Sequence, residues 1–143
     1  RVAPSMRAWY LESSALVAWT LEQDREVRRE LAAAGRLVTS SLTFAETRRA
    51  ILRARRADRI GAEEERVCLL GVAVVERRCH VLPVSGEVLE RAGRPFAREP
   101  VRTLDAIHLA SVELLGEPPQ LVTVITRDRR IAENARALGY AVA

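Results

Sequence analysis

The chain has 143 residues, 48% of them hydrophobic, enough for one globular domain to bury a core unaided. Its uncharged runs fall short of the ~18 to 20 residues a membrane span needs, and no cleavable leader pattern opens it, so the expectation is a soluble, cytoplasmic protein with no membrane partner. The net charge of +4 favours an anionic partner, and all 23 basic residues are arginine, which excludes lysine-dependent chemistry such as P-loop nucleotide binding or Schiff-base formation.

Residues 1–5 carry no pattern and are expected to be an extension ahead of a single domain over 6–143. From there, short apolar or β-branched runs alternate with longer segments of helical period, the arrangement of a mostly parallel sheet covered by helices. The spacing predicts strands at 8–11, 37–40, 80–83, 121–126 and 140–142. Between them it predicts helices at 14–22, 25–34, 43–56, 61–77, 86–93, 104–115 and 129–138. Gly35 and Gly139 stand where helix C-caps belong, while Pro100 and Pro118-Pro119 mark loops. The segment 104–115, LDAIHLASVELL, is apolar nearly all round and reads as a buried helix. Ile131, Ala135 and Leu138 form the apolar stripe of the last one. Cys68 and Cys79 form no CxxC pair, and His80 and His108 are the only histidines, so a zinc site lacks ligands and the thiols read as free and buried.

Four acids fall at strand-to-helix turns on this map: Glu12, Glu46, Asp105 and Asp128. In an open parallel sheet those turns share the carboxyl edge, where ligands bind. Each acid also has a local explanation. Thr43 to Glu46 has the spacing of a capping box, Asp105 suits the positive end of a helix, and Asp128 suits an N-cap. Together, however, four carboxylates at one edge would repel one another unless a divalent cation neutralised them. Oxygen ligands without cysteine suit Mg²⁺ or Mn²⁺, and an acidic metal site in a basic protein points to a polyanionic substrate.

The stretches YLESSAL, TFAE, TLDAIHLA and VITRDRRIAENARALG resemble, in order and spacing, the four motifs of the PIN domain, especially the VapC-type toxins of toxin-antitoxin pairs. The resemblance implies a Rossmann-like α/β/α sandwich and an Mg²⁺- or Mn²⁺-dependent endoribonuclease that cleaves single-stranded or structured RNA through metal-activated water. It also implies a homodimer and a cognate VapB-like antitoxin. Carried over residue by residue, Glu46, Asp105 and Asp128 match the family's acids, Ser14 the hydroxyl two residues after the first acid, and Thr126 the hydroxyl ending the fourth-motif strand. Glu12 departs from the pattern, because the family has aspartate there.

On this reading Glu12, Glu46, Asp105 and Asp128 are the catalytic acids, with Glu12, Asp105 and Asp128 holding the metal. Arg49, Arg53, Arg127 and Arg129 are candidates for the RNA backbone, within a wider group that includes Arg48, Arg55, Arg56 and Arg130. His108, one turn after Asp105, reads as a partly buried histidine satisfied by its neighbours. Because one methylene moves a carboxylate by about 1 to 1.5 Å, the alternative is a PIN-fold RNA- or antitoxin-binding protein whose nuclease activity Glu12 has weakened, and Glu12→Asp is expected to restore it.

Overall fold

The computed structural model describes residues 7–143; the expected extension at 1–5 lies outside them. Five strands, β1 (Ala8–Leu11), β2 (Arg36–Ser40), β3 (His80–Leu82), β4 (Val122–Ile125) and β5 (Ala141–Val142), form one sheet in the order β3-β2-β1-β4-β5. Every pairing is parallel, so the sheet is wholly rather than mostly parallel. Helices α1 (Ser13–Leu21), α2 (Arg25–Ala33), α3 (Ser41–Arg56), α4 (Ala62–Arg78), α5 (Gly86–Ala92), α6 (Thr103–Glu113) and α7 (Arg129–Ala137) connect them. The α/β/α sandwich expected from the sequence is the architecture found. Among the described residues no helix is long and apolar enough to cross a membrane.

The two layers follow from the strand period of two, which sends successive side chains to opposite faces. Ala8 and Tyr10 pack with Val38, Val122 and Val124 against Ala106 and Leu109 of α6 and Ile131 and Ala135 of α7. Leu11, Leu37 and Ile125 pack the other way, against Leu16, Val27, Leu31, Phe44, Ile51, Val72 and Val75 of α1 to α4. With both faces covered, the strands need no polar alternation, and β4 is buried at every position.

Helix α6 is buried over most of its length, as its composition requires, from Ala106 through Val112. Helix α7 ends in a full Schellman motif: Tyr140 N–H reaches the Ala135 carbonyl at 3.0 Å and Gly139 N–H that of Arg136 at 2.9 Å. Gly139 adopts φ +95°, a conformation that favours glycine. Gly35 follows the α2 cap without a positive φ, so its position was right and its conformation was not needed. The third helix begins at Ser41 rather than 43, because the Ser40 hydroxyl accepts Leu42 N–H and caps it there. Pro118 leads into a 3-10 turn at Pro119–Leu121 that the sequence pattern did not signal.

From β1 the chain runs outward through β2 and β3, then returns to lay β4 on the other side of β1. The crevice at the carboxyl ends of β1 and β4 is therefore the topological switch point, the place where open α/β sheets bind ligands. Register places Leu11 opposite Ile125, so the next residues, Glu12 and Thr126, emerge side by side.

Candidate active site

Glu12 occupies this crevice and is 2% exposed. Its carboxylate is both a helix cap and the centre of a hydroxyl collar. Oε2 accepts Ser14 N–H at 2.9 Å, capping α1, and lies 2.8 Å from the Ser13 hydroxyl. Oε1 accepts the Thr126 hydroxyl at 2.5 Å and the Ser14 hydroxyl. Ser14 Oγ in turn accepts Arg127 N–H at 2.8 Å, and Thr126 Oγ1 accepts Asp128 N–H at 3.0 Å. The two hydroxyls expected to support the site thus tie the β4–α7 turn to the acid. Four donors make burial of an anionic carboxylate tolerable.

Glu46 is joined to Glu12 through Ser13, whose Oγ lies 2.8 Å from Glu46 Oε1 as well. Because Ser13 carries one proton, it donates to one carboxylate at a time. Glu46 sits in the second turn of α3, not the first, so the Thr43 to Glu46 capping box does not form; Thr43 accepts a hydrogen bond from Thr39 at 2.8 Å instead. The side chain of Glu46, 23% exposed, also accepts from His108 Nε2 at 2.6 Å. Burial pushes its pKa up, but the hydrogen bonds from His108 and Ser13 outweigh that and hold it below the usual carboxylate value. His108 is 1% exposed, and its Nδ1 faces the Tyr10 hydroxyl at 2.9 Å. The histidine is satisfied by its neighbours as expected, and one neighbour is a site acid.

Asp105 lies in the first turn of α6 with its side chain 16% exposed, and Arg102 Nε stands 3.8 Å from it. Burial first, then the fields of Asp128 and Glu12, raise its pKa, against the opposing charge of Arg102. Asp128 serves as the α7 N-cap, Oδ1 accepting Ile131 N–H at 3.0 Å. The local explanation of Asp128 therefore holds alongside its electrostatic coupling to Asp105. All four predicted acids are linked at one edge, Glu12 to Glu46 through Ser13, and Asp105 to both Asp128 and Glu12 through their fields.

Among the described residues no three His, Cys, Asp or Glu side chains already point at one common metal position. The donor chemistry nevertheless fits a hard divalent cation. Asp105 is a partly buried carboxylate under the repulsion of two other acids, a situation a cation relieves, and only oxygen ligands are on offer.

The arginines divide. Arg127 turns away from open surface: Nε lies 3.2 Å from Asp24 Oδ2, Nη2 lies 3.2 Å from Glu30 Oε1 and 3.7 Å from Glu26 Oε2, and Nη1 donates to the Thr126 carbonyl at 2.9 Å. Arg127, expected on an RNA track, is thus engaged in ion pairs with α2 and the residue that caps it. Arg48 pairs with Glu76 at 2.7 Å and Arg55 with Glu65 at 3.7 Å. Arg129 is exposed and pairs with Glu133 at 3.1 Å. Arg49 and Arg53 are exposed on α3, one and two turns beyond Glu46. Cys68 and Cys79 are free and only partly buried, and burial pushes the Cys79 thiol up to about 11.

Sequence reasoning passed over two residues that hold the site, Ser13 and Tyr10, and read His108 only as satisfied by its neighbours. The period-two strand offered a signal, since Tyr10 precedes Glu12 by two and shares its face, and His108 shares the Asp105 face one turn on.

A parallel sheet with acids gathered at its switch point is the design of the PIN domain, and that family's profile matches residues 9–137. The chain belongs to the PIN domain family and is of the VapC type. Ribonuclease VapC46 of Mycobacterium tuberculosis is 36% identical, over 96% of this chain and 97% of its own length. Ribonuclease VapC35 of the same species is 33% identical, over 92% and 83%. Among solved structures, the DNA-bound VapBC of Salmonella typhimurium superposes with a TM-score of 0.67 at 19% identity, covering 96% of this chain and 98% of that one. M. tuberculosis VapC20, described as a sarcin-ricin loop cleaving toxin, gives 0.66 at 18%, covering 93% and 96%.

Proposed function

We propose that this chain is a divalent-metal-dependent endoribonuclease, the toxin of a toxin-antitoxin pair. The observation that carries the reading is the convergence of acids at the β1/β4 switch point, where Glu12 and Glu46 share Ser13 and Asp105 lies in the fields of Asp128 and Glu12. Such repulsion is useful where a cation is to be captured. Asp105 and Asp128 would hold Mg²⁺ or Mn²⁺, with Glu12 adding charge from within its hydroxyl collar and Glu46 completing the acidic wall. The cation, when bound, supplies a polarised water and charge neutralisation at a phosphodiester.

The remaining work falls to the protein. Ser13, Ser14 and Thr126 keep the Glu12 carboxylate fixed, so the acids do not rearrange during turnover. Arg49, Arg53 and Arg129 would hold the RNA backbone on the exposed flank, while Arg127 braces the Asp128 turn. The names of the relatives support RNA as substrate, and the complexes among its structural neighbours support a VapB-like antitoxin as partner. A homodimer in the cytoplasm completes the reading.

The four donors that already occupy the Glu12 oxygens favour one competing reading, a protein that binds RNA or antitoxin without cutting. One assay separates the two. Single-stranded RNA is expected to be cleaved with Mg²⁺ or Mn²⁺, to survive in excess chelator, and to survive the Asp105→Asn variant. Cleavage that persists in chelator would sink the metal mechanism, and intact RNA bound in the presence of Mn²⁺ would establish the binding protein.

A further inference from the structure

Between the acids and the core runs a buried chain of hydrogen bonds that the proposed chemistry does not itself require: Tyr10, His108, Glu46. We infer that His108 is a positioning residue, which Tyr10 orients from inside the sheet and which fixes the Glu46 carboxylate at the mouth of the site. The inference rests on the nuclease reading above.

Helix α6 is apolar around His108, with Ala106, Ile107, Leu109 and Ala110 all buried. A packing role alone would be filled there by leucine or methionine at no desolvation cost. The imidazole instead engages both nitrogens, in opposite directions, and one direction leads to a site acid. Tyr10 is wholly buried, and a phenol keeps its proton at neutral pH, so its O–H is there to donate. With Tyr10 donating to Nδ1, the ring proton lies on Nε2, aimed at Glu46 Oε1 at 2.6 Å.

Glu46 needs that anchor. Among the described residues its side chain bonds only to His108 and Ser13. A glutamate on a helix flank that loses its partners regains rotamer freedom and water. His108 also settles the choice open to Ser13: once Nε2–H serves Glu46, the one Ser13 proton is free for Glu12. A single imidazole thereby keeps two carboxylates, from separate elements, in place at once.

The test is steady-state cleavage of single-stranded RNA with Mn²⁺ by folded variants, with ¹⁵N NMR of His108 at fixed pH beside it. His108→Leu is expected to lower kcat about 100-fold with KM nearly unchanged, the cost of displacing a site carboxylate by roughly 1 Å. His108→Gln, whose amide N–H can stand near the place of Nε2, recovers most of that loss, and Tyr10→Phe lowers kcat about tenfold. In a Glu46→Gln background, His108→Leu adds little. The wild-type ring shows the Nε2–H tautomer, and Tyr10→Phe disturbs it. Full kcat in folded His108→Leu, an undiminished loss in the Glu46→Gln background, or an Nδ1-protonated ring overturns the inference. Should His108→Leu not fold, His108→Gln and Tyr10→Phe decide it. Should the wild type not cleave RNA, the nuclease reading has failed, and the tautomer alone decides whether His108 is anchored as inferred.

Discussion

The extra methylene of Glu12 sets where its carboxylate meets Ser13, Ser14 and Thr126, with the Thr126 hydroxyl at 2.5 Å. An aspartate would stop about 1 to 1.5 Å short of that collar and strand buried hydroxyls. Glu12→Asp is therefore expected to lower stability by about 1 to 2 kcal/mol, a fall in Tm of roughly 3 to 8 °C, and to leave cleavage no faster. This reverses the expectation from family pattern alone, in which aspartate restores the site. Faster cleavage at an unchanged Tm would show that the collar is not built to glutamate length. Position was readable from sequence because strand ends and acids coincide. The collar was not, since hydroxyls at 13, 14 and 126 meet only once β1 and β4 are paired.

Arg127 shows how an element junction can hide in a charge pattern. In sequence it is one of three arginines around Asp128. In the fold it clamps the β4–α7 turn to α2 through Asp24, Glu26 and Glu30. The Arg127 hydrogen bond, with Val27 N–H, holds the Asp24 carboxyl below its usual 3.8. A depressed folded pKa contributes stability above the unfolded value that is lost as pH falls through the lower folded one. Arg127→Ala is expected to lower Tm near neutral pH, and that deficit to shrink once pH drops below about 4. Thermal melts from pH 3 to 7 check this; a deficit that is constant across the range would mean that Asp24 is not what the clamp stabilises. Which way a long side chain turns is set by helices distant in sequence, so the spacing of RDRR could not reveal it. Element ends depended similarly on single caps, as Ser40 rather than Thr43 starting α3 shows.

Across the whole molecule, the net charge of +4 coexists with an acidic crevice, and the arginines left exposed on α3 and α7 belong to the helices that carry Glu46 and follow Asp128. If they track a phosphate backbone, RNA affinity weakens steeply with salt. Measured in the Asp105→Asn background, loss of both Arg49 and Arg53 is expected to weaken binding and reduce the salt slope by about 1.4, while an unchanged slope would place the RNA elsewhere. The sandwich itself was readable throughout, because alternating short apolar runs and amphipathic segments admit few other layers. The sheet order, and with it the switch point at β1 and β4, depended on long-range pairing. On the proposed function, these carboxylates gather one divalent cation at that switch point. Anomalous scattering from a crystal of this chain soaked in Mn²⁺ tests it most directly: a single peak within coordination distance of Asp105 and Asp128 is the result expected, and a peak elsewhere, or none at saturating Mn²⁺, would contradict the account.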